Sequence, residues 1–157
     1  MQQFIVPLAI VCFAIFWIAL LHVLAWLGGW KALVRRFPDD RTHEGKLFRF
    51  QSGAIIPIAP IDLPFNYGNC LKLRVCPQGI GISIIAPFRF GHEPFFIPWN
   101  EFHRAKIKTA FYFFPYFEAE IASPPIVKIL LPRWVFELQQ EGAEETATEL
   151  SKDPSLS

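Results

Sequence analysis

The first 30 residues of this 157-residue chain contain no Lys, Arg, Asp or Glu. Within them, the apolar stretch Phe4 to Trp30 would form a helix about 40 Å long, which exceeds the roughly 30 Å hydrocarbon core of a bilayer. A cleaved signal peptide would begin with basic residues, have a shorter apolar core and end at small residues, and this stretch has none of these features. We therefore predict that residues 1–30 form an uncleaved transmembrane anchor in a single-pass membrane protein.

The flanks of the apolar stretch predict its orientation. Lys31, Arg35 and Arg36 follow it directly, and basic loops stay on the cytoplasmic side. These three residues, together with Trp26 and Trp30, are our candidates for the membrane interface, where tryptophan rings are enriched. We expect the N-terminus outside the cell and the remaining domain in the cytoplasm, held at the inner (plasma) membrane.

The cysteines fit a reducing compartment. Cys12 lies in the apolar stretch, and Cys70 and Cys76 would lie roughly 20 Å apart on one strand, too far for a disulfide. Free thiols are usual in the cytoplasm. The spacing of the three cysteines fits no metal-binding motif.

A connector, residues 31–45, follows the anchor, and helix could continue in it up to Pro38. From Lys46 onward apolar and polar residues alternate, which is typical of half-buried strands. The pattern predicts seven strands, near 46–51, 69–76, 79–86, 94–99, 104–111, 114–122 and 126–131.

The chain changes character at Pro132, which suits the first turn of a helix that would end at Gly142. Residues 46–141 would therefore form a mainly β domain with a C-terminal helix. Residues 142–157 are small, acidic and free of aromatic residues, and we expect a disordered tail.

Seven strands followed by one helix resemble the pleckstrin-homology-like barrel, and this resemblance implies the fold of residues 46–141. The chain also resembles a group of uncharacterised bacterial single-span membrane proteins, which brings no known activity. That resemblance is carried by the following stretches: "GW" at 29–30, "FP" at 37–38, "QSG" at 51–53, "FRFGHEPFFIPW" at 88–99 and "NEF" at 100–102.

The stretch 88–99 combines aromatic residues with Arg89, His92 and Glu93 between two predicted strands. One interpretation is a rigid hairpin tip in which two phenylalanines enclose Arg89, Glu93 pairs with Arg89 or His92, and Trp99 covers one end of the barrel. The other is a recognition loop in which Arg89 and His92 meet an anionic group or a peptide. Both remain open from the sequence.

The predicted connection 52–68 is rich in proline and apolar residues. Ile55, Ile56 and Ile58 would either form an exposed patch for a partner or the membrane surface, or cover the mouth of the barrel. The pleckstrin-homology resemblance would place phosphoinositide ligands at this connection, but it contains no Lys or Arg. Headgroup binding at that position is therefore not expected.

Little in the sequence points to catalysis or to nucleic acid. No serine lies in a nucleophile elbow, no histidine stands in a metal-binding motif, and His22 has no acidic residue near it in the apolar stretch. Residues 31–141 carry 14 basic and 10 acidic residues, a net charge of +4, without a basic and aromatic stripe. We therefore expect that the protein is not an enzyme and that it binds no cofactor, metal ion or nucleic acid.

The sequence thus favours a membrane-anchored interaction or scaffold protein whose contacts are the lipid bilayer and an unknown protein partner. Two alternatives stay open. The chain could be a small accessory subunit that docks through its transmembrane helix, or, less favoured, a membrane-tethered enzyme.

Overall fold

The computed structural model describes residues 2–40, 42–58, 63–110 and 114–141. The predicted fold class, an N-terminal apolar helix followed by a seven-stranded pleckstrin-homology-like β-domain and a C-terminal helix, is confirmed. In chain order the elements are α1 (Gln2–Leu27), α2 (Trp30–Arg36), β1 (Lys46–Pro57), β2 (Phe65–Cys76), β3 (Gly79–Ile84), β4 (Phe95–Pro98), a 3₁₀ turn (Trp99–Glu101), β5 (Phe102–Ala110), β6 (Phe114–Ile121), β7 (Val127–Pro132) and α3 (133–141).

The seven strands form one curled antiparallel sheet, a half-barrel, in the order β4-β3-β2-β1-β7-β6-β5. Strand β1 lies in the middle of the sheet. Its first half pairs only with β2, residues 54 and 55 pair with both β2 and β7, and residues 56 and 57 pair with β7. The alternating pattern places one face of each central strand in the core. Leu71, Leu73 and Val75 on β2 and Ile80, Ile82 and Ile84 on β3 are all buried, as the sequence predicts.

Helix α1 is long and apolar enough, over Ile5–Leu27, to cross a membrane. It stops at two glycines that lie against the sheet. Gly29 has a φ of 75°, which favours glycine, and a Cβ there would come within 2.9 Å of Val127 Cγ1. The chain therefore turns between α1 and α2 while touching the strands.

Helix α2 and the following segment are part of the core. Leu33 is fully buried, and the carbonyl oxygen of Phe37 accepts a hydrogen bond from the backbone N–H of Phe96 on β4. Asp39 accepts two hydrogen bonds from the guanidinium Nη2 of Arg74, at 2.7 and 2.8 Å. Residues 30–39 thus pack onto the β-sheet, whereas the sequence predicted only a connector between the apolar helix and the β-domain.

The structure corrects the predicted connection 52–68. Strand β1 runs to Pro57 and β2 begins at Phe65, so most of the expected loop is paired strand. Ile55 is buried, Ile56 is half-buried and Ile58 is exposed at the start of the remaining connection. Ile55 therefore packs in the core, because its register opposite Phe65 and Ile129 turns it inward.

Strand β5 also differs from its pattern. The alternation predicted a half-buried strand here, but Ala105, Ile107 and Thr109 are exposed, as are the lysines between them. A bulge lies between His103 and Lys106, and β5 is the last strand of the sheet, so beyond the bulge nothing in the described chain covers it. The predicted tail, residues 142–157, lies outside the described residues.

Candidate functional site

The loop formed by residues 85–94, which joins β3 to β4, folds against helix α1. The rings of Phe88 and Trp17 have centroids 6.2 Å apart. Gly91, with a φ of 75°, lies so close to the helix that a Cβ would be 3.0 Å from the Cα of His22. On the helix side, Leu21 and Ala25 are buried. The second half of α1 and the 85–94 loop therefore form one packed unit.

Trp30 lies at the centre of this unit. It is fully buried, and its ring makes edge contacts with His92 and Phe95, with centroids 4.9 and 4.8 Å apart, and a tilted contact with Tyr67 at 5.2 Å. Its indole Nε1–H donates to the backbone carbonyl oxygen of Glu93 at 2.8 Å. Trp30 was expected at the lipid interface, but the close turn at Gly28 and Gly29 directs it into the protein.

Lys31 holds the end of the 85–94 loop through an ion pair with Glu93 at the protein surface. Its ammonium nitrogen lies 2.6 Å from the Glu93 carboxylate, and this hydrogen bond lowers the pKa of that carboxyl. One of the two interpretations of this stretch paired Glu93 with Arg89 or His92, and the structure pairs it with Lys31 instead. Both side chains are partly exposed, so the pair orients the loop more than it stabilises the fold.

An apolar cavity of about 360 Å³ lies between α1, the start of β2 and the loop. Its walls include Leu21, Leu24, Phe65, Tyr67, Gly68 and Phe88. The Tyr67 hydroxyl is buried and has no hydrogen-bond partner among the described residues, and burial raises the pKa of this phenol. A mostly apolar cavity with a few polar groups is typical of a ligand site.

A second, polar cavity of about 250 Å³ lies on the outer face of β2 and β3, beneath the same loop. It is lined by Lys72, Arg74 and Arg89, by Ser83, and by Asp39, which pairs with Arg74. The formal charges of these groups sum to +2, from three cations and one carboxylate. The cavity therefore favours an anionic group.

His92 lines both cavities, as does Ile84. The imidazole is 3 % exposed, and burial lowers its pKa, which favours the neutral ring. Because a carbonyl oxygen only accepts, the contact of Nδ1 with Phe90 O at 3.0 Å places the proton of the neutral ring on Nδ1. Nε2 is then an acceptor, and it is buried without a partner in the described part of the chain.

The other predicted site residues are separated. Arg89 lies in the polar cavity, and the described structure shows no ring contact over its guanidinium, while Phe88 and Phe90 are exposed. Trp99 lies at the far end of β4, where its Nε1–H donates to the carbonyl oxygen of Cys76. Trp26, Arg35 and Arg36 are exposed near the helix ends.

Four members of the site were missed by sequence reasoning: Tyr67, Lys72, Arg74 and Asp39. The alternation on β2 did place the two cations on its outer face, opposite the buried leucines. What it could not show is that the 85–94 loop covers this face. That depends on packing between segments far apart in the chain.

Among the described residues, no group of three or more His, Cys, Asp or Glu side chains is placed to hold a metal ion. Comparison with protein-family models, with curated proteins and with solved structures found no match for this chain. The function is therefore argued from the site itself.

Proposed function

We propose that this protein is a single-pass membrane protein with a non-catalytic interaction domain. The domain would lie directly against the cytoplasmic leaflet of the inner membrane, with the 85–94 loop immersed in lipid beside helix α1. The observation that carries this proposal is the contact between Trp17 and Phe88, because Trp17 lies ten residues before the end of α1.

The length of α1 supports immersion of the loop. The part of the helix before Trp17, even counted from Gln2, is about 22 Å long. A bilayer core is roughly 30 Å thick, so that part alone is too short to span it. If the helix spans, Trp17 and Phe88 lie roughly 6–10 Å inside the hydrocarbon on the domain side.

Other residues at this end of the domain suit lipid as well. Trp26, Phe90 and Leu63 are each half exposed or more, and Ile58 is 37 % exposed. The glycines that end α1 lie against Phe65, Pro57 and Val127, which places the β1–β2 connection beside the end of the span. The exposed Arg35 supports a cytoplasmic domain, since basic residues next to a span stay in the cytoplasm.

The polar cavity contains the residue types of a hydrolase triad, yet the links of a triad are missing in the described chain. Nε2 of His92 has no partner, so it makes no hydrogen bond to Ser83. Nδ1 contacts Phe90 O, and Asp39 binds Arg74. A triad needs the base linked both to the nucleophile and to the acid. This supports binding in preference to catalysis.

A protein partner is part of the proposal, through either of two surfaces. Strand β5 is the last strand of the sheet, so one of its edges has no partner strand among the described residues, and its side chains from Arg104 to Thr109 are exposed. An open edge of this kind suits addition of a partner strand. Alternatively, the chain is an accessory subunit that docks through α1, since the described side chains from Ile5 to Phe16 are all exposed.

The experiment is topology mapping combined with crosslinking in native membranes. A C-terminal reporter that is active only after export should stay inactive, and one that is active in the cytoplasm should work. Crosslinkers placed at Ile107 on β5 and at Phe13 on α1 should separate the two surfaces. Capture at Ile107 supports the interaction domain, whereas capture at Phe13 alone supports the accessory subunit. Export of the C-terminus would contradict the proposed orientation.

A further inference from the structure

We propose that the junction of α1, β2 and the 85–94 loop binds one anionic phospholipid. Its acyl chain would occupy the apolar cavity and its phosphate the polar cavity. This inference rests on the proposed function, because the lipid must enter from the membrane in which α1 lies. The site differs from the β1–β2 connection that the pleckstrin-homology resemblance would suggest.

The two cavities form one amphipathic site. Ile84 and His92 line both of them, so the apolar space and the cationic space adjoin at these two side chains. A ligand that fills both must have an apolar part joined directly to a polar part. Phospholipids have this division, and water-soluble anions and simple hydrocarbons do not.

The apolar cavity lies where an acyl chain is available. Leu21 and Leu24 of the spanning helix form one wall, and Phe88, which reaches the level of Trp17, forms another. A volume of about 360 Å³ equals that of roughly a dozen water molecules of about 30 Å³ each, and a methylene group is of similar size. The cavity therefore accepts a large part of one acyl chain.

The polar cavity fits a phosphate. Asp39 neutralises Arg74, but neither Lys72 nor Arg89 has an ion-pair partner in the described structure. Nε of Arg74 is a buried donor without an acceptor among the described residues. An unpaired buried donor is costly, and an anionic oxygen would satisfy it.

His92 selects the remainder of the headgroup. Its unpartnered Nε2 is an acceptor in the neutral ring, so it suits a hydroxyl donor beside the phosphate. A glycerol headgroup offers such hydroxyls, and a choline headgroup offers none. The structure thus assigns a preference for phosphatidylglycerol over phosphatidylcholine.

The test uses the full chain in nanodiscs containing dioleoyl phosphatidylglycerol and dioleoyl phosphatidylcholine in equal amounts. After transfer to a mild detergent, native mass spectrometry counts the lipid that each chain retains. We expect one phosphatidylglycerol per chain in preference to phosphatidylcholine. Free glycerol phosphate, which has the phosphate without the chains, should not displace it.

Two variants and their matched controls locate the site. Gly68→Leu should fill the apolar cavity and abolish retention, whereas Gly68→Ala should retain lipid, because a Cβ at Gly68 meets nothing within 4 Å. Lys72→Gln with Arg89→Gln should lower phosphatidylglycerol retention roughly fivefold per residue. Lys106→Gln, on exposed β5, removes one charge elsewhere and should change nothing.

Three results would overturn the inference. They are equal retention of the two lipids, equal retention by Gly68→Leu and Gly68→Ala, or displacement by glycerol phosphate alone. If Gly68→Leu unfolds, the charge variants still decide the question. Flotation of the chain with vesicles is measured in parallel. A chain that floats but retains no lipid contradicts only this inference, and a chain that does not float contradicts the proposed function too.

Discussion

The indole N–H of Trp30 and the carbonyl oxygen of Glu93 form a 2.8 Å hydrogen bond between residues 63 positions apart. This bond joins the first residue of α2 to the end of the 85–94 loop. Next to it, Lys31 pairs with the Glu93 side chain. Two consecutive residues therefore hold the end of the loop beside the start of α2.

Replacing Trp30 with Phe removes the indole donor while keeping an aromatic ring. We expect the free energy of unfolding to fall by about 1–3 kcal/mol, because the Glu93 carbonyl loses its partner in a part-buried place. Trp30→Ala should cost about 3–5 kcal/mol, because it also empties a fully buried position. Thermal unfolding of the detergent-solubilised chain measures both. An unchanged melting temperature for Trp30→Ala would show that this ring is not part of the core.

Gly29→Ala tests the turn between α1 and α2. The φ of 75° costs a residue with a Cβ about 1–2 kcal/mol, and the Cβ would also press on Val127 at 2.9 Å. Gly68→Ala is the matched control, since the space beside Gly68 is open. Unfolding should show a loss for Gly29→Ala and almost none for Gly68→Ala. Equal behaviour of the two variants would contradict the close approach of the turn to the sheet.

His92 should make stability depend on pH. Burial lowers its pKa below the ordinary value of 6.5, Lys31 and His22 lower it further, and the contact with Phe90 O and the charge of Glu93 oppose this. As the pH is lowered, His92 is therefore protonated in the unfolded chain before it is protonated in the folded chain. The free energy of unfolding is highest above pH 6.5 and decreases as the pH falls below that value. The slope for one proton is at most about 1.4 kcal/mol per pH unit.

His92→Asn keeps a donor near Phe90 O and never becomes charged, so its unfolding should depend less on pH between 6.5 and 5. Denaturant titrations at several pH values measure the difference. Parallel curves for the two proteins would show that His92 is protonated equally in the folded and unfolded chains.

Shortening the chain tests where the domain begins. Removal of residues 1–27 keeps Trp30, and removal of residues 1–30 deletes it. Both shortened chains should lose membrane association, and the shorter one should be less stable by about 3–5 kcal/mol, because Trp30 fills a buried position. Equal stability of the two would place the start of the domain after Trp30.

The strands could be predicted because their alternation is strict. Leu71, Leu73 and Val75 lie on one face of β2 and are buried. A repeat of apolar residues at every second position indicates a strand with one buried face. The second half of β1 was missed because Gly53 and Pro57 are typical of turns. In the folded chain Gly53 permits close approach to β7, and Pro57 lies at the very end of its strand.

The candidate site was only partly predictable. Arg89 and His92 were recognised because polar residues in an aromatic stretch are unusual. The role of Trp30 was not, since an apolar run does not reveal where lipid ends and protein begins. The pairing of Lys31 with Glu93 likewise follows from long-range packing, which local patterns do not contain.

The most direct measurement of the central claim is photo-crosslinking from Phe90 in membranes. A photoreactive residue there should crosslink to phospholipid, because the proposed function places the 85–94 loop along α1 inside the bilayer. Phe50 is the matched control, because it is 67 % exposed and lies far from α1. Ile55 lies beside the glycines that end α1, and Phe50 is about 16 Å away from Ile55 along β1. We predict lipid adducts at Phe90 and none at Phe50. Absence of lipid adducts at both positions, in a chain that remains membrane-bound, would contradict the account.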